Sequence, residues 1–303
     1  MITGFNRLIR NRDFLLAMAI LLGLLWGQGA KWTEKTVLPA LGLVMTLATM
    51  GVPGSIFLSP GKLMRPALWG IALNYGLLGG LILGLSGLLI TDGELRDGFV
   101  IMTAVPPAVA VIPFSVILNG NRTLALIGTI GCYLAALGIT PLIAYFFLGG
   151  AFGDPVKIMT IMAELILAPL FLSRVLLWIG WVRKVEPWRG PLTNWSFFLI
   201  VYTIIGLNRQ LFFDRPEVLI LPAAIALAST FLLGWVIEKI GRLRGADPQT
   251  LTSMVLLGTQ KNTGLAAGLA LSLFSDKTAV PATITTIFML VYMIRLSIGR
   301  RSP

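Results

Sequence analysis

Long apolar segments, most of them about 20 residues long, follow one another along the chain and are separated by short stretches rich in proline, glycine and charge. About 20 apolar residues in a helix are needed to cross the hydrocarbon core of a bilayer, so this pattern predicts a polytopic helical membrane protein. The pattern places about ten spans, at 14–30, 37–58, 67–90, 98–118, 123–148, 156–180, 194–213, 217–238, 249–273 and 279–298. The connections are short, so we expect residues 1–303 to form one all-α membrane domain without a soluble domain.

Composition supports this interpretation and excludes several other classes of protein. The chain is 56% hydrophobic and only 12% charged, which is more apolar and less charged than ordinary soluble domains. It has no histidine and a single cysteine, Cys132, so an internal disulfide, a cysteine-based metal cluster and the usual zinc ligands are excluded. The start of the chain, Met1 to Asp13, lacks a small-residue cleavage site, and we expect the first apolar segment to be a retained span.

The distribution of basic residues predicts the orientation in the membrane. With the N-terminus in the cytoplasm, the inner segments contain fourteen Lys or Arg and four Asp or Glu, whereas the outer segments contain seven and eight. Cytoplasmic segments of membrane proteins carry the excess of basic residues. We therefore expect a protein of the cytoplasmic (inner) membrane with both termini in the cytoplasm. The net charge of +11 then reflects topology and contact with anionic lipid rather than nucleic acid.

Ten spans divide into two sets of five, a repeat one of residues 1–149 and a repeat two of residues 150–303. Because each set contains an odd number of spans, the second set enters the membrane upside down, as in inverted-repeat transporters. The fourth span of repeat one contains Pro106, Pro107 and Pro113, which remove backbone donors and must break or kink the helix. The fourth span of repeat two is interrupted at Gln260 to Gly264. Such matched interruptions are the best sequence pointer to a transporter's site.

Lys261 lies in the middle of that second interrupted span, roughly 20 Å of helix from either end, so its side chain cannot simply reach a membrane interface. It is surrounded by Thr259, Gln260, Asn262 and Thr263. Polar and charged groups at this depth are costly and usually mark a binding or coupling site. Two other interpretations stay open: a loop lysine between two short helices, and a structural lysine paired with an acid.

The two interrupted spans resemble those of the bile acid:sodium symporter superfamily, which also includes transporters of organic anions. The family's fourth span has a Pro-Gly-Gly-Thr-Ala-Ser-Asn run followed by Gly-Asn, and this chain has Pro106-Pro107-Ala108-Val109-Ala110-Val111-Ile112 followed at the same spacing by Gly120-Asn121. The family's ninth span reads Glu-x-Gly-x-Gln-Asn and then Gly-Leu-Ala, and here it is Leu256-Leu257-Gly258-Thr259-Gln260-Lys261 and then Gly264-Leu265-Ala266. Thr140-Pro141-Leu142, at the end of the fifth span, is also similar. The resemblance implies that the fourth and ninth spans are broken and cross each other.

The sodium sites of that family are mostly lost in this chain. In the family, six side chains of the fourth, fifth and ninth spans help to bind two sodium ions, and the positions that match them here are Val111, Ile112, Ala125, Thr129, Leu256 and Gln260. Four of the six have no side-chain oxygen, and sodium needs several hard oxygen ligands. The asparagine that follows the family's glutamine is replaced by Lys261. We therefore expect no metal or other cofactor, and the Lys261 ammonium could take the place of a sodium ion at the helix ends.

The resemblance also assigns spans 1, 2, 6 and 7 to a panel part and spans 3–5 and 8–10 to a core part, which face each other across a substrate cavity. Glu164, in the sixth span, is then either a partner of Lys261 or proton acceptor at the site, or a member of a structural pair. Because burial favours the neutral form of lysine, Lys261 could also load and release a proton. A positive site favours an anionic substrate, and bile-acid-like, keto-acid and pantothenate-like anions all fit this description.

The sequence thus predicts a secondary transporter of a small organic anion that works by alternating access, independent of sodium and either proton-coupled or uncoupled. A sodium-coupled organic anion or bile acid symporter with rearranged sodium sites is the alternative. An enzyme is not expected, because the chain has no histidine, no pair of acids within a span and no phosphate-binding glycine loop. The expected partners are the lipid bilayer, the anion and protons.

Overall fold

The computed structural model describes residues 12–50, 60–149, 155–214 and 216–300. Within these ranges the chain is almost entirely helical and forms no β-strand, as the apolar pattern predicts. The end of the predicted second span, residues 51–58, and the chain termini lie outside the described residues, as does most of the predicted joint between the repeats.

The first half of the chain contains eight α-helices in its described part: α1 Arg12–Leu25, α2 Ala30–Thr33, α3 Val37–Thr49, α4 Pro60–Ile71, α5 Gly80–Leu89, α6 Gly93–Ala104, α7 Val111–Ile117 and α8 Arg122–Leu148. A π-helical segment, Ala72–Gly79, joins α4 to α5 without a break. Short 3₁₀ turns at Gly27–Gly29 and Glu34–Thr36 flank α2.

The described part of the second half also contains eight α-helices: α9 Pro155–Trp178, α10 Val182–Leu207, α11 Arg209–Asp214, α12 Ile220–Leu227, α13 Leu233–Leu243, α14 Pro248–Thr259, α15 Thr263–Leu273 and α16 Val280–Arg300. A second π-helical segment, Ala228–Leu232, joins α12 to α13. Short 3₁₀ turns at Pro216–Leu219 and Lys277–Ala279 precede α12 and α16.

The helices form two compact units. The first unit contains the described residues of 1–53 and 157–217, and in it α10 packs against α1 and α3. The second unit contains the described residues of 54–156 and 218–303. In this second unit α4 packs against α8, α12 against α16, and α13 against α14. Both interrupted spans belong to the second unit.

Short polar side chains fix where the helices of the second unit begin. Asp92 accepts a hydrogen bond from the backbone N–H of Leu95 at the start of α6 (3.1 Å), and Asn121 does the same for Leu124 at the start of α8 (3.0 Å). Asp247 caps α14, which begins with Pro248, the residue whose missing N–H costs least at that position. These caps satisfy backbone donors that the helix leaves unpaired at its first turn.

Two helices of the second unit touch backbone to backbone. A Cβ added to Gly70 of α4 would lie 2.5 Å from the Gly128 carbonyl oxygen of α8, so no larger side chain fits there. Small residues at such points let membrane helices approach closely.

Five helical segments of the described chain are long and apolar enough to cross a bilayer: Leu63–Leu89, Arg122–Leu148, Val182–Leu207, Pro216–Leu243 and Lys277–Gly299. A sixth results if Phe14–Leu25 and Gly27–Leu47, which are bent by 97° relative to each other, count as one span. These segments make the chain an integral membrane protein. The predicted fourth and ninth spans are missing from this set because each is divided into two helices that are too short to cross alone.

One helix differs clearly from its prediction. The seventh span was placed at 194–213, but α10 begins at Val182 and ends at Leu207, and α11 follows it. Pro187 and Pro191 lie inside α10, near its N-terminal end, although each proline removes a helical hydrogen bond. The charged residues and prolines of this stretch therefore belong to the exposed N-terminal end of a helix and not to a loop.

Candidate functional site at the meeting of two interrupted helices

The first interruption lies between α6 and α7. The helix α6 ends at Ala104, and Val105 is extended (φ −75°, ψ 153°). Pro106 and Pro107 follow, and neither has an N–H to continue the helix. The helix α7 begins at Val111, and Pro113 lies inside it. Two adjacent prolines therefore make the break, whereas the third is accommodated in the next helix.

The second interruption lies between α14 and α15 and has a different local cause. The helix α14 ends at Thr259, and Gln260 is extended (φ −113°, ψ 109°). Asn262 restarts the helix, because its side-chain oxygen accepts a hydrogen bond from the N–H of Leu265 at 3.1 Å. An N-cap asparagine thus ends this break, where prolines make the other one.

The two interruptions pair with each other through their backbones. The N–H of Asn262 donates to the carbonyl oxygen of Pro106 (3.0 Å), and the N–H of Ala108 donates to that of Gln260 (3.3 Å). Pro107 and Lys261 form an antiparallel bridge between these two bonds. Non-helical backbone at membrane depth is tolerated where it is buried in protein. Here each break supplies part of the hydrogen bonding that the other lacks.

Lys261 is the central side chain of this crossing and is only 1% exposed. Its Nζ donates to the carbonyl oxygens of Thr103 and Val105, each at 2.8 Å. The same nitrogen lies 4.3 Å from the centroid of the Tyr75 ring, whose face attracts a cation. Thr103 belongs to the last turn of α6, where the helix dipole is negative. Two carbonyls, a ring face and a helix C-terminus therefore surround the amine, and all of them favour a positive charge.

Other donors satisfy the neighbouring carbonyl oxygens of the first break. The hydroxyl of Thr140 donates to the carbonyl of Ala104 (2.7 Å), and that of Tyr133 donates to the carbonyl of Pro107 (3.0 Å). Tyr133 also accepts a hydrogen bond from the side-chain amide of Asn262 (3.0 Å), so it links the two breaks. Both donors lie on α8, which packs against α6 and α7.

At the second break, Asn74 provides hydrogen bonds to carbonyl groups at the C-terminal end of α14. Its side-chain amide donates to the carbonyl oxygens of Leu257 (2.9 Å) and Gln260 (3.2 Å). Asn74 is fully buried and lies in the π-helical segment between α4 and α5. Such π segments often occur at functional sites, and this one brings an amide to carbonyls that a helix end would leave unpaired.

The polar residues predicted around Lys261 are all buried here, but they have different contacts. The hydroxyl of Thr259 donates to the carbonyl of Val255 in its own helix (2.7 Å), and Gln260 donates to the Thr259 hydroxyl at 3.4 Å. Thr263 accepts a hydrogen bond from Thr286 of α16 (2.8 Å). These side chains thus mainly hold the break together.

The positions that match the family's sodium ligands provide little oxygen. Val111 is 1% exposed, and Ala125 and Leu256 are fully buried, so apolar atoms occupy these positions. Ile112 is half-buried. Thr129 is also buried, and its hydroxyl has no hydrogen-bond partner among the described residues.

Glu164 is an exposed side chain of α9 in the first unit. The ion pairs of the described residues do not include Lys261, which contacts two carbonyl oxygens and a tyrosine ring of the second unit. Within the same described residues, no three His, Cys, Asp or Glu side chains come together as a metal site.

Sequence reasoning did not assign several residues that complete the site. The expected site residues do not include Thr103, Tyr133 and Thr140. They also do not include Asn74 and Tyr75. Each acts on a backbone group or a charge that lies far away in sequence, for example Asn74 on Gln260. A buried polar residue that lies on a core span and faces a predicted helix break is the signal that would have identified them.

A comparison with known families agrees with this geometry. The sequence profile of the SBF-like CPA transporter family matches residues 14–299, which is nearly the whole chain. No curated protein matches the chain. The family is related to the bile acid:sodium symporters, so the resemblance that the two interrupted spans indicate is confirmed. Membership of a family of membrane transporters points to transport and not to catalysis. On the strength of this match and of the paired helix breaks, the chain belongs to the SBF-like CPA transporter family.

Proposed function

We propose that this transporter is a sodium-independent carrier of a small organic anion and that the ammonium of Lys261 takes the place of a sodium ion. The observation that carries the proposal is the position of Lys261 Nζ, 2.8 Å from both the Thr103 and Val105 carbonyl oxygens at the broken end of α6. Carbonyl oxygens at such a break are groups that a bound cation would satisfy. A tethered ammonium satisfies them and needs no metal ion from solution.

The side chains at the family's sodium positions support the same conclusion. Val111, Ala125 and Leu256 present carbon atoms where a sodium ion would need oxygen. The loss of the sodium ligands and the gain of a buried amine are complementary changes, because a positive charge remains at the helix ends. The chain would therefore conserve the electrostatics of the crossing while abandoning coupling to sodium.

The charge at the crossing favours an anionic substrate. Lys261 carries a positive charge, and α15 begins next to it at Thr263, so the positive end of an 11-residue helix adds to the attraction. No carboxylate of the described residues pairs with Lys261 to cancel this charge. A small organic anion, such as a bile acid, keto acid or pantothenate, is the class of substrate that this potential would attract.

Proton coupling is part of the proposal, since an amine can exchange its proton when one side of the site opens. Arginine in the same position could not do so, because its guanidinium stays protonated. Besides the two carbonyl oxygens, the side chains that interact with the amine are the Tyr75 ring, 4.3 Å from Nζ, and the Cys132 thiol. Neither is a carboxylate, so Lys261 itself would carry the exchangeable proton.

We further propose that the protein lies in the inner membrane and has ten spans in two inverted five-span repeats. Both termini would then lie in the cytoplasm. In this arrangement a panel part and a core part move relative to each other, and access to the site alternates. The paired breaks at the fourth and ninth spans support the repeat, since each break completes the hydrogen bonding of the other. A reporter fused after Pro303 should be active in the cytoplasm, and activity confined to the periplasm would refute this topology.

A sodium-coupled mechanism is the second candidate, and one observation favours it. The side-chain oxygens of Asn74 and Thr129 are buried and have no hydrogen-bond partner among the described residues. Oxygen atoms of this kind are potential ligands of a hard cation. A rearranged sodium site that uses them would coexist with Lys261.

Reconstitution into proteoliposomes separates the two candidates. Uptake of radiolabelled taurocholate, pyruvate and pantothenate would be measured with an inward sodium gradient, with choline in its place at constant ionic strength, and with a pH gradient. We expect uptake of at least one anion that is unchanged by sodium and increased by the pH gradient. Uptake that rises steeply and saturably with sodium would refute the replacement of sodium by Lys261.

The variant Lys261→Arg tests the role of the exchangeable proton. It keeps the positive charge, so it should still bind the anion that the wild type transports, but the pH gradient should no longer drive accumulation. The larger guanidinium must fit a site that is almost fully buried, and overpacking costs about 1–3 kcal/mol. Binding should therefore be compared at a temperature below the variant's melting transition. An Lys261→Arg protein that accumulates the anion in response to pH like the wild type would eliminate proton exchange by Lys261.

A further inference from the structure

One charged cavity of the second unit lies away from the Lys261 crossing, since none of its lining residues belongs to either helix break. It has a volume of about 690 Å³ and is lined by residues of α13, α14 and α16 and by Leu118 and Asn119 after α7. Arg242 of α13 and Arg295 and Gly299 of α16 line the cavity close to the C-terminal ends of these helices, and α14 begins at Pro248, which also lines the cavity. The cavity is therefore at one end of the helices, at the depth of a membrane interface and not at the centre of the bilayer.

The charged side chains of the cavity are two arginines and one glutamate. Arg242 of α13 forms an ion pair with Glu238, one turn earlier, at 2.5 Å. The guanidinium of Arg295 of α16 lies 5.7 Å from the centroid of the Phe231 ring. The side chain of Arg242 is 71% exposed, whereas that of Glu238 is 28% exposed. The more accessible charge is thus positive, and the cavity has a net charge of about +1.

Apolar side chains also line the cavity. Trp235 is 51% exposed, and Leu118, Leu251 and Leu296 are further apolar lining residues. Exposed apolar side chains on a membrane helix face lipid tails, and tryptophan is typical of the boundary between tails and headgroups. A ligand in this cavity would therefore have an anionic head among the arginines and a hydrocarbon part along these side chains.

We infer that this cavity binds the phosphate group of an acidic phospholipid, with Arg242 and Arg295 as its ligands. Arginine is well suited to phosphate because its planar fork donates two parallel hydrogen bonds. A volume of about 690 Å³ is larger than phosphate alone requires and is in the range of pockets for small organic molecules. Basic pockets between membrane helices at the interface bind anionic headgroups in the same way.

Free inorganic phosphate or glycerol phosphate could supply the same chemistry, so the experiment must separate the two sources. The full-length protein would be purified in detergent and stripped of lipid. Melting temperature and lipid retention in native mass spectrometry would then be measured with phosphatidylglycerol, with phosphatidylcholine, and with glycerol 1-phosphate. We expect saturable stabilisation and retention with phosphatidylglycerol, and little effect of the other two.

Three single variants test the assigned ligands. Arg242→Gln and Arg295→Gln should each weaken phosphatidylglycerol binding by about tenfold, the size of a lost charge-assisted hydrogen bond. Glu238→Gln removes the opposing charge and should strengthen binding. The matched control is Arg244→Gln, which removes the same charge from an exposed residue at the end of α13 that does not line the cavity.

Each possible result tests one feature of the proposed lipid site. Two results would overturn the site: Arg244→Gln weakens phosphatidylglycerol binding as much as Arg242→Gln does, or neither Arg242→Gln nor Arg295→Gln weakens it. Either result would mean that the interaction is only a general attraction between a basic surface and anionic lipid. Equal stabilisation by phosphatidylcholine would remove the requirement for an acidic headgroup. Full stabilisation by glycerol 1-phosphate would retain the phosphate site and overturn the lipid as its source.

Discussion

Replacing Lys261 by alanine is the perturbation on which the proposed mechanism depends most directly. The change removes the donor to the carbonyl oxygens of Thr103 and Val105, both of which lie in a buried crossing. An unpaired buried polar group costs about 1–3 kcal/mol, so the two together should lower the free energy of unfolding by about 2–6 kcal/mol. Truncating an almost fully buried side chain leaves a cavity, which adds to the loss.

Two effects oppose this loss. Water can enter a polar cavity and bond to the carbonyls, and the cost of burying an ammonium disappears. We expect both to be smaller than the loss, because the ammonium of Lys261 already has two carbonyl partners and the Tyr75 ring face. Lys261→Met, which keeps most of the side-chain volume and removes the ammonium with its charge and its donors, separates the loss of the ammonium from the cavity. It should be destabilised less than Lys261→Ala and still melt below the wild type.

Chemical rescue provides the sharpest assay. The atoms that Lys261→Ala removes, from Cγ to Nζ, correspond to n-propylammonium. Millimolar n-propylammonium should raise the melting temperature of the variant in detergent saturably and leave the wild type unchanged, whereas n-propanol should do neither. Lys239→Ala, the same change at an exposed lysine, is the control for general effects. If Lys261→Ala melts like the wild type, transports like it and does not respond to n-propylammonium, Lys261 is not a substitute for a cation.

Three further variants test the supports of the site. Tyr133→Phe removes the donor to the Pro107 carbonyl and should lower the free energy of unfolding by about 1–3 kcal/mol, measured as a fall in melting temperature. Gly98→Ala would place a Cβ against the Thr278 carbonyl oxygen where α6 meets the turn before α16, and should reduce the yield of folded protein on size-exclusion chromatography. Asp92→Asn keeps an N-cap residue but removes a charge. Partial burial acts to raise the pKa of Asp92, yet its ion pair with Lys277 and its backbone hydrogen bonds leave this pKa below the ordinary value. A depressed carboxyl pKa stabilises the fold above about pH 4 and loses this effect as the pH falls further. Asp92→Asn should thus lower the melting temperature slightly at pH 7 and not at pH 3.

Matched substitutions serve as controls for these three variants. Tyr145→Phe changes an exposed tyrosine, and Gly76→Ala adds a Cβ with nothing within 4 Å, so neither should alter stability strongly. Equal effects of Tyr145→Phe and Tyr133→Phe would contradict the assigned hydrogen bond. A fully folded Gly98→Ala protein would show that the close approach is not required. A loss of melting temperature in Asp92→Asn that is the same at pH 3 and pH 7 would exclude the charge as its cause.

The sequence by itself determined the helical membrane class, the places of both interruptions and the family. These properties are local. An apolar run of about 20 residues can avoid unpaired backbone groups in lipid only as a helix. Pro106 and Pro107 cannot donate the hydrogen bonds of a helix, and Asn262 supplies a cap that begins a new one. Such constraints act within a few residues, so they can be recognised without knowledge of the partners in space.

Only the tertiary structure decided how the exposed backbone at the breaks is satisfied. Lys261 contacts carbonyls 158 and 156 residues away, and Asn74 reaches Gln260 across 186 residues. The sequence places Thr259 and Thr263 beside Lys261, but only the structure shows that Thr259 bonds to Val255 of its own helix and Thr263 to Thr286 of α16. Any buried amide or hydroxyl on a neighbouring helix could in principle have served these carbonyls. Packing selects which one does, because hydrogen bonds need a donor within about 3 Å and the direction of each helix in space sets which side chains come that close.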